Sequence, residues 1–212
     1  MKKLIAVLMM MLLMVFGLAA CSGGSSGEDQ ASDSGSEAAA EEQAEEKGTE
    51  GGSSGNATLV VYFSATGNTK GVAEKIASIT GADTYEIKAA QEYTEEDLDW
   101  NDSESRTTHE QNDVSARPEI GSDKVSLDGY TTIYIGYPIW WGEEPRIMDT
   151  FVESYDFDGI TMIPFCTSGS SGIGSSGQNL ADNAGSGNWL EGARFGAGAS
   201  EDEIRSWIEG LQ

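Results

Sequence analysis

Apolar residues fall into three regimes along this 212-residue chain. Leu4 to Ala20 is one unbroken apolar run behind Lys2 and Lys3. Ser22 to Asn56 is Gly, Ser, Ala and Glu with no aromatic residue, and from Ala57 short apolar runs alternate with helical spacing. Thr58-Leu59-Val60-Val61-Tyr62-Phe63 is continuous, β-branched and aromatic, which predicts a buried central strand of a parallel sheet. Val72, Ala73, Ile76, Ala77 and Ile79 then repeat at helical spacing until Gly81 stops the pattern. Further strands are expected over Ala82 to Lys88, Thr132 to Ile135 and Ile160 to Phe165, with a weak fifth around Arg194 to Gly196. Proline cannot donate to a ladder, so Pro164 is expected near the end of its strand. Pro145 suits a first helical turn, followed by an apolar face of Met148, Phe151, Val152 and Tyr155. A last helix, capped reciprocally by Ser200 and Glu203, should bury Ile204, Trp207, Ile208 and Leu211. Strands alternating with helices predict an α/β domain whose parallel sheet is covered on both faces. The polar stretch from Ala89 to Tyr130 is hard to read beyond a helix near Asp102 to Asp113.

The first two regimes lie outside the folded domain. Residues 1–21 have the form of a signal peptide, and Leu18-Ala19-Ala20-Cys21 resembles the lipobox of bacterial lipoproteins, in which the cysteine is lipid-modified and becomes N-terminal. An uncleaved anchor is the alternative, because the run reaches the lower end of the roughly 17–25 residues that span a bilayer. Residues 22–56 cannot bury enough apolar surface to offset the entropy of ordering and are expected to be a flexible acidic tether. Residues 57–212 suit one domain with a sizeable core. With nine cations against 27 acids, the domain carries −18 of the chain's −24, which repels nucleic acid and favours basic partners. Lipidation at Cys21 leaves Cys166 without a partner, so no disulfide framework is expected.

Candidate chemistry sits in the loops. After the first strand, Ser64-Ala65-Thr66-Gly67-Asn68-Thr69 is dense in hydroxyls and backbone amides and leads into a helix N-terminus, a natural anion cradle. It lacks the spacing of a P-loop or a dinucleotide fingerprint and suits one terminal phosphate, with plain helix capping as the alternative. After the third strand, Gly136-Tyr137-Pro138-Ile139-Trp140-Trp141-Gly142 places aromatics where a polar connection is usual. In a 2-1-3-4-5 sheet these two loops meet at the switch point, offering phosphate donors beside flat apolar surfaces. At least one of the two tryptophans is expected simply to cover the sheet end.

Ser64 to Thr69 resembles the flavodoxin phosphate loop, and Gly136 to Trp141 resembles the ring-binding segment of a flavodoxin-like family. The run Phe165-Cys166-Thr167-Ser168-Gly169-Ser170-Ser171-Gly172 is similar to that family's third flavin loop, and the resemblance covers about Leu59 to Leu211 in order. It implies a three-layer α/β/α fold with a five-stranded parallel sheet, order 2-1-3-4-5, and non-covalent flavin mononucleotide (FMN). The phosphate would lie at Ser64, Ala65, Thr66, Gly67, Asn68 and Thr69. The ring would lie against Tyr137, Pro138, Ile139, Trp140, Trp141 and Gly142, and against Thr167, Ser168, Gly169, Ser170 and Gly172.

The resemblance implies electron transfer, and the leader adds a lipid anchor on the extracytoplasmic face of the cell membrane. A one-electron carrier for a membrane or surface redox partner is the leading expectation, with a protein or a quinone as that partner. A flavin-dependent NAD(P)H or quinone reductase and a non-redox flavin- or nucleotide-binding lipoprotein are the alternatives. The acidic surround is expected to lower the potential of the second electron step. His109 reads as a solvated side chain and Cys166 as a small buried hydrophobe, and no acidic pair has metal-ligand spacing, so no metal is expected.

Overall fold

The structure is a computed structural model describing residues 57–211. The expected signal peptide, lipidation at Cys21 and tether fall outside the described residues. Six strands and five helices alternate: β1 (Ala57–Phe63), α1 (Asn68–Thr80), β2 (Asp83–Ile87), α2 (Arg106–Asn112), β3 (Tyr130–Pro138), α3 (Arg146–Val152), β4 (Thr161–Thr167), α4 (Ser176–Ala184), β5 (Asn188–Trp189), β6 (Ala193–Phe195) and α5 (Glu201–Gly210). The sheet is parallel with order β2-β1-β3-β4-β5, and β6 also pairs with β4. This is the expected flavodoxin-like arrangement.

Because side chains alternate across a strand, β1 sends Leu59, Val61 and Phe63 to one face and Val60 and Tyr62 to the other. The first face is covered by Ile147, Met148, Phe151 and Val152 of α3 and Leu180 of α4. The second is covered by Val72, Ala73 and Ile76 of α1 and Ile204 and Ile208 of α5. Each large aliphatic side chain so buried contributes about 1.5–3 kcal/mol. Helix α1 ends where expected, on Gly81 in the left-handed region, whose N–H bonds the Ala77 carbonyl at 2.8 Å. At α5, Ser200 Oγ accepts from the Glu203 amide at 3.2 Å, one half of the expected reciprocal cap. Trp207 and Leu211 are only partly buried.

Two expectations about the sheet need correction. Pro164 stands in the middle of β4, paired with Ile135, not near its end. The fifth strand is also divided: Asn188–Trp189 runs beside Thr161 and Met162, and Ala193–Phe195 beside Phe165 to Thr167. These two facts explain each other. The Met162 carbonyl accepts from Leu190 N and the Ser168 amide donates to Phe195 O, so the even-numbered residues of β4 turn their amide groups toward β5 and β6. Pro164 lies between them on that side, where the neighbouring edge is interrupted and no N–H is called for.

The segment between β2 and β3 folds back toward the carboxyl ends of the strands. Thr94 and Asp97 bond each other's backbone amides through their side chains, and the Asp97 carbonyl accepts from the amide and hydroxyl of Thr107. Ser105 caps α2, inside the interval where a helix is expected.

Candidate functional site

The loops that follow β1, β3 and β4 converge at one edge of the sheet, as the strand order requires. In the first, Gly67 takes the N-cap position of α1 at φ 82°, where a side chain would be strained, so no side chain caps the helix from that position. Ser64 Oγ instead reaches across to accept from the Lys70 amide at 3.1 Å. The amides of Thr66, Gly67, Asn68 and Thr69 carry no hydrogen bond among the described residues. Four unspent donors at a positive helix end form an anion cradle. Asn68 Nδ2 donates to Thr66 Oγ1 at 3.2 Å, which steadies the loop. Thr69 differs from expectation. It is buried, and its hydroxyl is paired with that of Thr167 at 2.8 Å, which ties the first loop to the end of β4.

In the second loop the Ile139 amide donates to the Thr167 carbonyl at 3.0 Å, so the loops after β3 and β4 are tied together. Trp140 and Glu143 exchange backbone hydrogen bonds at 2.9 and 3.0 Å around Trp141 and Gly142, which stand at φ 50° and 89°. This is a two-residue turn of the mirror-image type, and Trp141 is the one non-glycine residue at positive φ among the described residues. The turn divides the tryptophans by role. Trp140 packs edge-on against Phe63 and Tyr93, with ring centroids 5.6 and 5.3 Å away, and covers the sheet end. Trp141 stays 46% exposed. Tyr137 lies wholly in the core with its hydroxyl paired to Ser176, so its side chain serves packing and cannot face a ligand, contrary to the sequence expectation.

The third loop is held from below. Arg194 on β6 donates from Nε to Ser168 Oγ at 3.0 Å and from Nη2 to the carbonyls of Ser168 and Gly169, the latter at 2.7 Å. Ser168 Oγ donates to the Ser171 carbonyl. Gly169 and Ser170 stand exposed, and a Cβ added at Gly169 would meet nothing within 4 Å.

Between the first and second loops opens a cleft of about 340 Å³, lined by Thr66, Ile139, Trp140, Trp141, Leu98, Trp100 and Thr107. Leu98, Trp100 and Thr107 come from the segment that was illegible in the sequence, and Trp100 is 74% exposed. A larger cavity of about 670 Å³ lies at the opposite end of the sheet, beside Thr58, Thr132 and Thr161. It is far from the unpaired amides and aromatic walls, so chemistry and not size identifies the site. Among the described residues no three His, Cys, Asp or Glu side chains cluster to hold a metal.

Beneath the Trp140–Glu143 turn lies a buried ionic network that the sequence did not signal. Gln111 Nε2 donates to the carbonyls of Trp140 and Glu144 at 3.1 and 3.2 Å. Arg146 Nη2 donates to Glu143 at 2.7 Å and to the Gln111 carbonyl at 3.2 Å, while its Nη1 lies 3.8 Å from Glu144 and 3.6 Å from Asp149. One guanidinium thus faces three carboxylates, two of them only 1% exposed. Burial first, with Asp149 adding to it, pushes the Glu144 carboxyl up to about 7. Cys166 is fully buried and burial raises its thiol to about 12, as suits a core hydrophobe. His109 is exposed beside Glu104.

A family model described as Flavodoxin matches residues 57–211. Curated proteins give no significant match. Among solved structures, the chain is similar to provisionally named flavoproteins from Bacteroides uniformis and Bacteroides eggerthii. The first is 47% identical with a TM-score of 0.70, over 74% of this chain and 99% of that one. The second is 44% identical with a TM-score of 0.69, over 74% of this chain and 98% of that one. A flavoprotein from Lactobacillus acidophilus, solved in complex with FMN, is 25% identical with a TM-score of 0.55 over 73% of this chain and 99% of that one.

Proposed function

Because this chain belongs to the flavodoxin family, we propose that it binds FMN without a covalent link and passes electrons to a redox partner while lipid-anchored at the extracytoplasmic membrane face. The observation that carries this is a cleft lined by Trp100, Trp140 and Trp141 that Thr66 also lines, Thr66 being the first residue of the run of free amides from Thr66 to Thr69. The amides suit a phosphate monoester and the aromatic walls a planar ring. The similar Lactobacillus acidophilus protein, crystallised with FMN, supports the same ligand.

When bound, the flavin supplies one- and two-electron chemistry, and the chain decides where it sits and what reaches it. The cradle amides would hold the phosphate, and Ser64 and Thr66 add hydroxyls. Ile139 and Trp140 form the inner wall, while Trp141 and Trp100 stand at the exposed rim. Their aromatic edges, with the exposed Asp99, Asp102 and Glu104 close to Trp100 in sequence, suit a partner with a basic, partly apolar surface. The leader, with Cys21 at its end, supports the membrane attachment.

The test is titration of the purified full chain with FMN, followed by absorbance and by emission from the cleft tryptophans. Saturable binding with shifted flavin bands and quenched tryptophan emission is expected, and absence of binding refutes the proposal. Steady oxidation of NAD(P)H with a quinone acceptor would replace the carrier role with a reductase role.

A further inference from the structure

We infer that Arg194 is a positioning residue for the flavin ring, setting the loop after β4 so that two peptide N–H groups face the ring's acceptor edge; this rests on the FMN reading above. Three observations lead to it. The guanidinium spends its bonds on one short stretch, Ser168 Oγ, Ser168 O and Gly169 O. Within a domain of net charge −18 it has no carboxylate in ion-pair distance among the described residues, whereas three of the other four arginines, Arg106, Arg117 and Arg146, do. The loop it holds has no apolar side chain between Ser168 and Gly172 to fix its shape by packing.

A trans peptide directs its N–H opposite to its C=O. The Ser168 carbonyl shares a peptide with the Gly169 amide, and the Gly169 carbonyl shares one with the Ser170 amide. Turning both carbonyls down onto Arg194 therefore turns both amides up, and no Cβ stands over Gly169 to block approach. Two adjacent donors backed by an uncompensated positive charge favour a ligand edge that gains negative charge on reduction. Arg194 would thus act against the surrounding acidity, which disfavours the reduced ring.

The residue acts through the loop, so the experiment reads potential as well as affinity. The full chain, Arg194→Gln and Arg194→Lys are titrated with FMN and with riboflavin, and their flavin potentials are measured. In R194Q both ligands should bind about tenfold more weakly by the same factor, because the phosphate cradle is untouched. The preference for reduced over oxidised flavin should also fall about tenfold, which is about 59 mV for a one-electron step. R194K keeps the charge without the planar fork and should lie between R194Q and the parent.

In the 15N-labelled parent, the Gly169 and Ser170 amides should move on addition of FMN. A parent-like potential in folded R194Q, or Gly169 and Ser170 amides indifferent to FMN in the parent, overturns the assignment. If R194Q does not fold, a parent-like affinity and potential in R194K overturns it equally. A parent chain that binds no FMN removes the functional reading itself, which is a separate result.

Discussion

Replacing Glu144 by Gln should remove a pH dependence of stability that originates under the Trp140–Glu143 turn. Gln keeps the size of the side chain and an oxygen to accept the 3.2 Å bond from Asn179 Nδ2. It removes a charge that shares a single guanidinium with Asp149 and Glu143. Burial raises the Glu144 carboxyl from its usual 4.5 to about 7. Across that window the folded chain holds a proton that the unfolded chain has released, so stability falls as pH rises. The change from 4.5 to about 7 is worth about 3 kcal/mol at about 1.4 kcal/mol per tenfold in proton affinity. E144Q should therefore gain about 3 kcal/mol on the parent between pH 4.5 and pH 8, or roughly 6–12 °C in Tm for a domain of this size. Urea unfolding of both proteins at half-unit pH intervals measures the difference directly, and contributions from other carboxylates largely cancel in it. Asp149, whose carboxyl is also raised by burial, would then face Arg146 with one competitor fewer, which adds in the same direction. Stability profiles that run parallel from pH 5 to pH 8 would refute the reasoning, since a carboxyl raised to about 7 in the folded chain alone must lose its proton in that window.

Gly136→Ala should destabilise the domain by about 1–3 kcal/mol in urea unfolding, because an added Cβ would sit 2.1 Å from Phe165 Cζ in the strand pair Gly136–Phe165. Cys166, buried and with its thiol raised to about 12, should resist an aromatic disulfide reagent at pH 8 in the native protein and react promptly in urea; rapid native-state labelling would contradict the packing described.

The parallel sheet, its first helices and the loops after β1 and β3 were legible because each left a local signal: a β-branched run, a stop at Gly81, a donor-rich hexapeptide, a Trp pair in a connection; the strand order came from the family resemblance. What escaped lacked such a signal. Helix α4 carries only Leu180 as a buried hydrophobe, so no apolar period betrays it. Leu98 and Trp100 are isolated in an acidic run, and their role depends on the Asp97–Thr107 contacts that return them to the cleft. Arg194 is one cation on a three-residue strand, and its meaning comes from a loop 25 residues earlier in the chain. Tyr137 failed in the opposite way. It shares a motif with the exposed Trp141, but strand alternation turns its ring inward.

The division of the fifth strand has a consequence for self-association. A sheet border recruits copies of itself when it presents a long row of unsatisfied amides and carbonyls. Here that border offers rungs of two and three residues with Glu191 in the gap and Pro164 behind it, too short a template for another molecule to extend. Were the chain held at a membrane surface as proposed, copies would meet constantly, and this border would let them collide without adding strand to strand.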